Sequence, residues 1–211
     1  WLSVQVVVSH LHFTGICWER KRLVILKQTR LSTMAISNNE LKVKAQIIKY
    51  FFTDVDGTLT DGCVYYSPEG ELLKKFSLRD GSGFFLLRQA GIKTGIITGE
   101  DSPIVTCRAK KLKVDKLIMN AVPKVETLGT FLESEGLTFE NVAYIGDSIN
   151  DIKLMRVVGL AFAVGDADEL TKSNAHVICH NKGGNGAFFE AVCTLLSTED
   201  QRVEKLIEST L

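Results

Sequence analysis

Two aspartates stand two residues apart in Asp54-Val55-Asp56-Gly57-Thr58, directly after the apolar run 47–53. An apolar run that ends in a Gly-containing turn reads as a buried β-strand opening into a loop, the place where an open α/β sheet binds its ligand. Side chains alternate along extended chain, so residues two apart can face one pocket. A carboxylate there is a competent nucleophile toward phosphorus. Attack by Asp54 would give an aspartyl-phosphate and divide ester hydrolysis into two easier displacements. Asp56 is placed to protonate the departing oxygen and then to take a proton from the attacking water. A bare pair of this kind could equally be a solvated acidic turn at a strand end.

Further positions follow further apolar runs. Thr98-Gly99 closes the run 92–98, Lys124 opens a helical pattern over 123–135, and Gly146-Asp147 and Asp151 follow the run 142–145. Taken singly, Thr-Gly is ordinary turn chemistry and a lone Lys an ordinary surface residue. The whole stretch DVDGTLTDG, however, resembles the first motif of the haloacid dehalogenase superfamily of phosphatases, and the other positions match its remaining motifs in order over 47–155. The resemblance implies that the Thr98 hydroxyl binds phosphoryl oxygens and that the Lys124 ammonium neutralises charge on nucleophile and phosphoryl group. It also implies Mg2+ held by Asp54, the backbone carbonyl of Asp56 and Asp147, with Asp151 ligating or supporting. Magnesium takes oxygen ligands in octahedral geometry and keeps several waters, so so few protein ligands suffice. Its tasks would be to screen Asp54 from the dianionic phosphate and align the two.

These positions need a scaffold. The 211 residues, 45% hydrophobic and 24% charged, suit one globular α/β domain with a sizeable core. Strand-like runs at 47–53, 92–97, 115–119, 142–146, 160–164 and 176–179 alternate with helical patterns at 80–90, 101–113, 123–135, 149–158 and 186–197. That alternation predicts a Rossmann-like, doubly wound parallel sheet covered on both faces. Zero net charge leaves no electrostatic footprint for nucleic acid or an anionic membrane. Cys17, Cys63, Cys107, Cys179 and Cys193 are scattered and odd in number, which points to reduced thiols and a cytoplasmic protein. His176 and His180 read as structural histidines. Residues 1–33 show no strand–helix alternation, and their apolar runs are too short to span a bilayer. We expect them to be upstream translation or an extension outside the fold, with the phosphatase domain over 34–211. The basic stretch 19–27 could otherwise serve as a partner-binding arm.

Between Asp56 and Thr98 the chain has room for a β-hairpin flap and one helix, and between Lys124 and Asp147 for one helix. Neither gap holds a cap domain, which needs roughly 50 residues. The pocket is therefore expected to be open unless another subunit covers it, with Tyr65, Tyr66 and Lys74 or Lys75 of the hairpin placed to reach a neighbour. This capless layout, the TDG after the first motif and the late KGGNGAFFE resemble the 3-deoxy-D-manno-octulosonate 8-phosphate phosphatase family over about residues 47–196. The resemblance implies a homotetramer that releases phosphate from a 3-deoxy-ulosonate sugar phosphate made for cell-surface polysaccharide such as lipopolysaccharide. Two departures bear on the sugar. Glu100 stands after Gly99 where that family has Arg, and Glu100 with Arg108 and Lys111 is similar to relatives acting on nine-carbon 2-keto-3-deoxy-nononate 9-phosphate. Phe189 replaces the Arg of the late motif. Thr98, Gly99, Glu100, Arg108, Lys111, Gly183 and Gly184 are the expected substrate contacts, although Arg108 and Lys111 could be an exposed helix face and the glycines a turn. Two other classes remain open: a non-catalytic assembly module related to sialic acid activating enzymes, and a phosphatase for protein or nucleic acid.

Overall fold

The computed structural model describes residues 34–198 and residue 208. Residues 1–33, with the expectations placed on them, lie outside the described residues. Chain order is α1 (Asn38–Gln46), β1 (Tyr50–Thr53), β2 (Thr60–Ser67), β3 (Gly70–Phe76), α2 (Leu78–Gln89), β4 (Lys93–Ile97), α3 (Pro103–Leu112), β5 (Lys116–Ile118), α4 (Lys124–Ser134), β6 (Val142–Gly146), α5 (Ile152–Met155), β7 (Leu160–Ala163), α6 (Glu169–Lys172), β8 (Val177–Ile178) and α7 (Ala187–Leu196). A 3-10 turn at Phe139–Asn141 leads into β6.

The six-stranded sheet has the order β5-β4-β1-β6-β7-β8, with every pair parallel. The chain leaves β1 toward β4 and β5, then returns to the other side of β1 for β6, β7 and β8. Such a reversal opens a crevice at the carboxyl ends of the strands flanking it, which is where Asp54, Thr98 and Asp147 emerge. β2 and β3 form a separate antiparallel hairpin. This is the doubly wound sheet with a flap and no cap that the alternation predicts.

The alternation of β1 assigns its aromatics to opposite faces. Phe51 lies 5.5 Å from Phe162 and 5.3 Å from Phe188 of α7, whose ring stacks on Phe84 of α2 at 4.5 Å. Tyr50 and Phe52 instead meet Phe131 of α4, at 5.5 and 6.0 Å. Phe51 and Phe52 are fully buried, and each such burial stabilises by about 1.5–3 kcal/mol. β4 carries Gly95 beside Phe52 because a Cβ there would run into the Phe52 ring. The base of β1 is thus clamped between two helical layers.

Differences from the expected elements have local causes. The run 47–53 begins as a strand only at Tyr50, because Ile47 caps α1. α1 itself was not anticipated; it is set by a capping box between Ser37 and Glu40 and buries no residue fully. The helical pattern 149–158 contracts to Ile152–Met155, since residues 148–151 form a turn closed by Asp151 N–H donating to the Ser148 carbonyl at 3.0 Å.

The late glycines brace the loop after β1. Gly184 N–H donates to the Thr58 carbonyl at 2.9 Å and has φ 61°, and a Cβ at Gly183 would collide with the Gly57 carbonyl. We expect Gly183→Ala to push this loop outward. It should cost about 1–3 kcal/mol of stability as an overpacked contact, read as a lower melting temperature together with reduced phosphate release.

Candidate active site

Asp54 follows β1 and is anchored by its own N–H donating to the Ile145 carbonyl at 3.1 Å, so the loop leaves the sheet at a fixed point. Its Oδ1 lies 2.9 Å from Lys124 Nζ. Lys124, at the start of α4, is 8% exposed and also reaches Asp151 Oδ1 at 2.7 Å and the Tyr144 hydroxyl at 3.1 Å. Burial works against the Lys124 charge, but Asp54 and Asp151 overcome it and hold the ammonium above its ordinary value.

Asp151 is fully buried and saturated. Its Oδ1 accepts from Lys124 and, at 2.5 Å, from Tyr144; its Oδ2 accepts from the N–H groups of Asp147 and Ser148 at 3.0 and 3.1 Å. With both oxygens engaged, Asp151 orients Lys124 and the Asp147 backbone. The Asp147 carboxylate accepts from the Thr58 hydroxyl at 3.1 Å. Gly57, at φ 84°, is required there because a Cβ would strike that carboxylate.

Asp54, Asp147 and Asp151 each offer an oxygen within 4.8 Å of the others. Burial, and then the Asp151 charge, push the Asp54 carboxyl up to about 7 against the pull of Lys124. The same causes push Asp147 up to about 6. Crowded, poorly solvated carboxylates of this kind fit a hard divalent cation, which takes oxygen ligands and would relieve their repulsion. Asp54 and Asp147 could ligate directly.

A cavity of about 590 Å³ opens over this group, lined among others by Asp54, Asp56, Thr98, Gly99, Glu100 and Lys124. Thr98 is buried, its hydroxyl accepting from the Glu100 N–H at 3.2 Å. The remaining expected substrate contacts are not brought to the lining. Arg108 donates to the Ser77 carbonyl at 3.0 Å and lies over the Phe76 ring at 5.4 Å, while Lys111 is exposed on α3. Gly183 and Gly184 are spent against the backbone of residues 57–61. Phe189 packs against the core, its N–H held by Asp80 at 3.0 Å, and does not line the cavity either.

Sequence reasoning missed Glu71 and Tyr144, and it offered Lys74 only as a hairpin residue placed to reach a neighbour. Lys74 Nζ lies 2.5 Å from Asp56 Oδ1 and 3.0 Å from Glu71. It turns into its own subunit's site rather than outward toward a neighbour, whereas Lys75 pairs with Asp61 at the surface. Alternation along β3 carried that signal, since consecutive strand residues face opposite ways.

A family model described as haloacid dehalogenase-like hydrolase matches residues 97–189. The 3-deoxy-D-manno-octulosonate 8-phosphate phosphatase of Haemophilus influenzae is 35% identical over 159 residues, 75% of this chain and 88% of the relative. That of Escherichia coli K12 is 39% identical over 153 residues, 72% of this chain and 81% of the relative. The crystal structure of the Moraxella catarrhalis enzyme of that name, in complex with magnesium, phosphate and KDO, superposes with a TM-score of 0.77 at 35% identity, covering 82% of this chain and 99% of the other. Together with the acidic strand-end site, these likenesses place the chain in the 3-deoxy-D-manno-octulosonate 8-phosphate phosphatase family of haloacid dehalogenase-like hydrolases, and it is a phosphoric monoester hydrolase.

Proposed function

We propose that the chain is a Mg2+-dependent phosphatase of 3-deoxy-D-manno-octulosonate 8-phosphate or a closely similar ulosonate phosphate. The observation that carries this reading is the convergence of Asp54 and Asp147 from separate strand ends with Lys124 from the start of α4, Asp54 and Lys124 lining one cavity. The Asp54 carboxylate attacks phosphorus, and the Asp56 carboxyl gives its proton to the sugar oxygen as the phosphorus–oxygen bond breaks. Water then attacks the aspartyl-phosphate while Asp56 takes its proton, returning Asp54 and inorganic phosphate. Lys124 offsets negative charge on Asp54 and on the phosphoryl oxygens, and Thr98 donates its hydroxyl to one of them. The Asp54 and Asp147 carboxylates and the Asp56 carbonyl would hold Mg2+, whose charge screens nucleophile from ester.

The relatives' substrate supports the eight-carbon sugar. Glu100 in the cavity lining supports the nine-carbon ester as a second reading. Retention of both aspartates, the threonine and the lysine speaks against a non-catalytic assembly module. Exposed Tyr65, Tyr66, Leu72 and Leu73 on the hairpin support a homotetramer. No described helix is long and apolar enough to cross a membrane, and Cys63, Cys107, Cys179 and Cys193 are unpaired, which supports a reducing, cytoplasmic setting.

The deciding assay measures phosphate release from the eight- and nine-carbon esters side by side, with Mg2+ and with chelator. Turnover should require Mg2+ and favour the eight-carbon ester. Equal release in chelator would remove the metal from the reading, and preference for the longer sugar would shift it to the second substrate.

A further inference from the structure

Lys74 has a side chain only 2% exposed, on a flap strand whose next residue, Lys75, is 66% exposed. Lysine is seldom buried unless paired, and here the pairing is on both sides. Asp56 Oδ1 lies 2.5 Å from the ammonium and Glu71 3.0 Å from it, and Glu71 accepts in turn from the Ser102 hydroxyl just before α3. A line of side chains therefore runs from the loop after β1, across the flap, to the loop after β4. Among the described residues, Lys74 is the one side chain bonded to Asp56, whose own side chain is 29% exposed.

We propose that Lys74 is a positioning residue for Asp56. By donating to Oδ1 from the flap it fixes the carboxyl, so that Oδ2 is the oxygen facing the ester. In the first displacement the proton passes from Oδ2 to the sugar oxygen as the phosphorus–oxygen bond breaks and the Asp54–phosphorus bond forms. In the second a water proton passes to Oδ2 as the water oxygen bonds phosphorus and Asp54 departs. Orientation matters here because a misplacement of about 1 Å at a reacting group can cost 10²-fold in rate. Glu71 and Ser102 keep the ammonium from following the carboxylate outward, so the flap supports the chemistry of its own subunit.

This inference rests on Asp56 acting as acid and base, and leaving groups separate the two ideas. The 4-nitrophenolate leaves without a proton, whereas a sugar alkoxide needs one. For Lys74→Met we expect kcat/KM to fall about 10- to 100-fold on the ulosonate phosphate and to stay within about 3-fold on 4-nitrophenyl phosphate, since an acid contributes chiefly where the leaving group is poor. Lys74→Arg should recover most of the loss, and Lys74→Met should add nothing in an Asp56→Asn background. Equal losses on both esters, or a further loss in the Asp56→Asn background, overturn the proposal. Should thermal melting show that Lys74→Met has lost the fold, Glu71→Gln decides by the same ratio: a preferential loss on the sugar ester supports the role and an unchanged ratio overturns it. Wild-type kcat/KM for Asp56→Asn alone on the ulosonate phosphate would instead refute the acid–base role on which the inference stands.

Discussion

Asp54→Asn is expected to abolish phosphate release, a loss on the order of 10⁴ or more, the scale seen when a covalent nucleophile is removed. The amide keeps the shape of the carboxylate but cannot attack phosphorus. The fold should survive, for a reason that lies in the charge balance. Burial and the Asp151 charge push Asp54 up to about 7, so near pH 8 its negative charge is held against both influences. A neutral residue removes that repulsion, while Lys124 keeps Asp151 as its partner at 2.7 Å. In metal-free buffer at pH 8 the Asn variant should therefore melt no lower than the wild type. The stabilisation that added Mg2+ gives should shrink, because one anionic donor is gone. Initial-rate phosphate release and paired melting curves with and without Mg2+ check all of this. Turnover at the wild-type rate would exclude Asp54 as the nucleophile.

How far such a site can be read before any coordinates depends on where each residue gets its meaning. Asp54, Thr98, Lys124 and Asp147 were legible because each follows an apolar run, and β1, β4, β5 and β6 deliver them to one edge of the sheet. The strand pattern gave the sheet class, and the short gaps gave the missing cap. Asp151 was legible as an acidic member of the group, but its engagement by Tyr144, Lys124 and two N–H groups depends on how the turn after β6 wraps back. Lys74 belongs to a third kind. It lies 18 residues from Asp56 in sequence, and only the fold of the flap over the loop makes them partners.

Arg108, Lys111, Gly183 and Gly184 match motif positions but lie outside the lining of this chain's cavity. The Arg108 stem and guanidinium cover Phe76, and one donor satisfies the Ser77 carbonyl at the cap of α2. Phe189 packs against the hydrophobic core, and Asp80 ties the starts of α2 and α7 together by accepting from Gly186 and Phe189 N–H groups. α1 was missed for want of apolar periodicity: it buries no residue fully, so its capping box was the available signal.

Lys124→Met tests the same charge cluster from its other side, and its largest effect should be on stability. The ammonium lies 2.9 Å from Asp54 and 2.7 Å from Asp151, and no other described Lys or Arg forms an ion pair with either. Removing one partner of a buried ion pair typically costs about 3–5 kcal/mol, because the remaining charge is left uncompensated. The loss should depend on pH in a defined direction. Asp54 already has a folded value raised to about 7 from an ordinary 3.8, so its contribution to stability is fully present below the unfolded value and is lost as pH rises through the folded one. Without Lys124 that folded value climbs further. The melting temperatures of variant and wild type should therefore draw together toward pH 4, where the Asp54 carboxyl is protonated, and separate toward pH 8. Added Mg2+ should narrow the gap at pH 8 by supplying positive charge to the same carboxylates. Turnover should stay low even then, since the charge on the phosphoryl oxygens has lost its fixed counterion. Melting curves at the two pH values, each with Mg2+ and with chelator, test this directly, and superimposable curves at pH 8 would show that Lys124 is not what holds the carboxylates together.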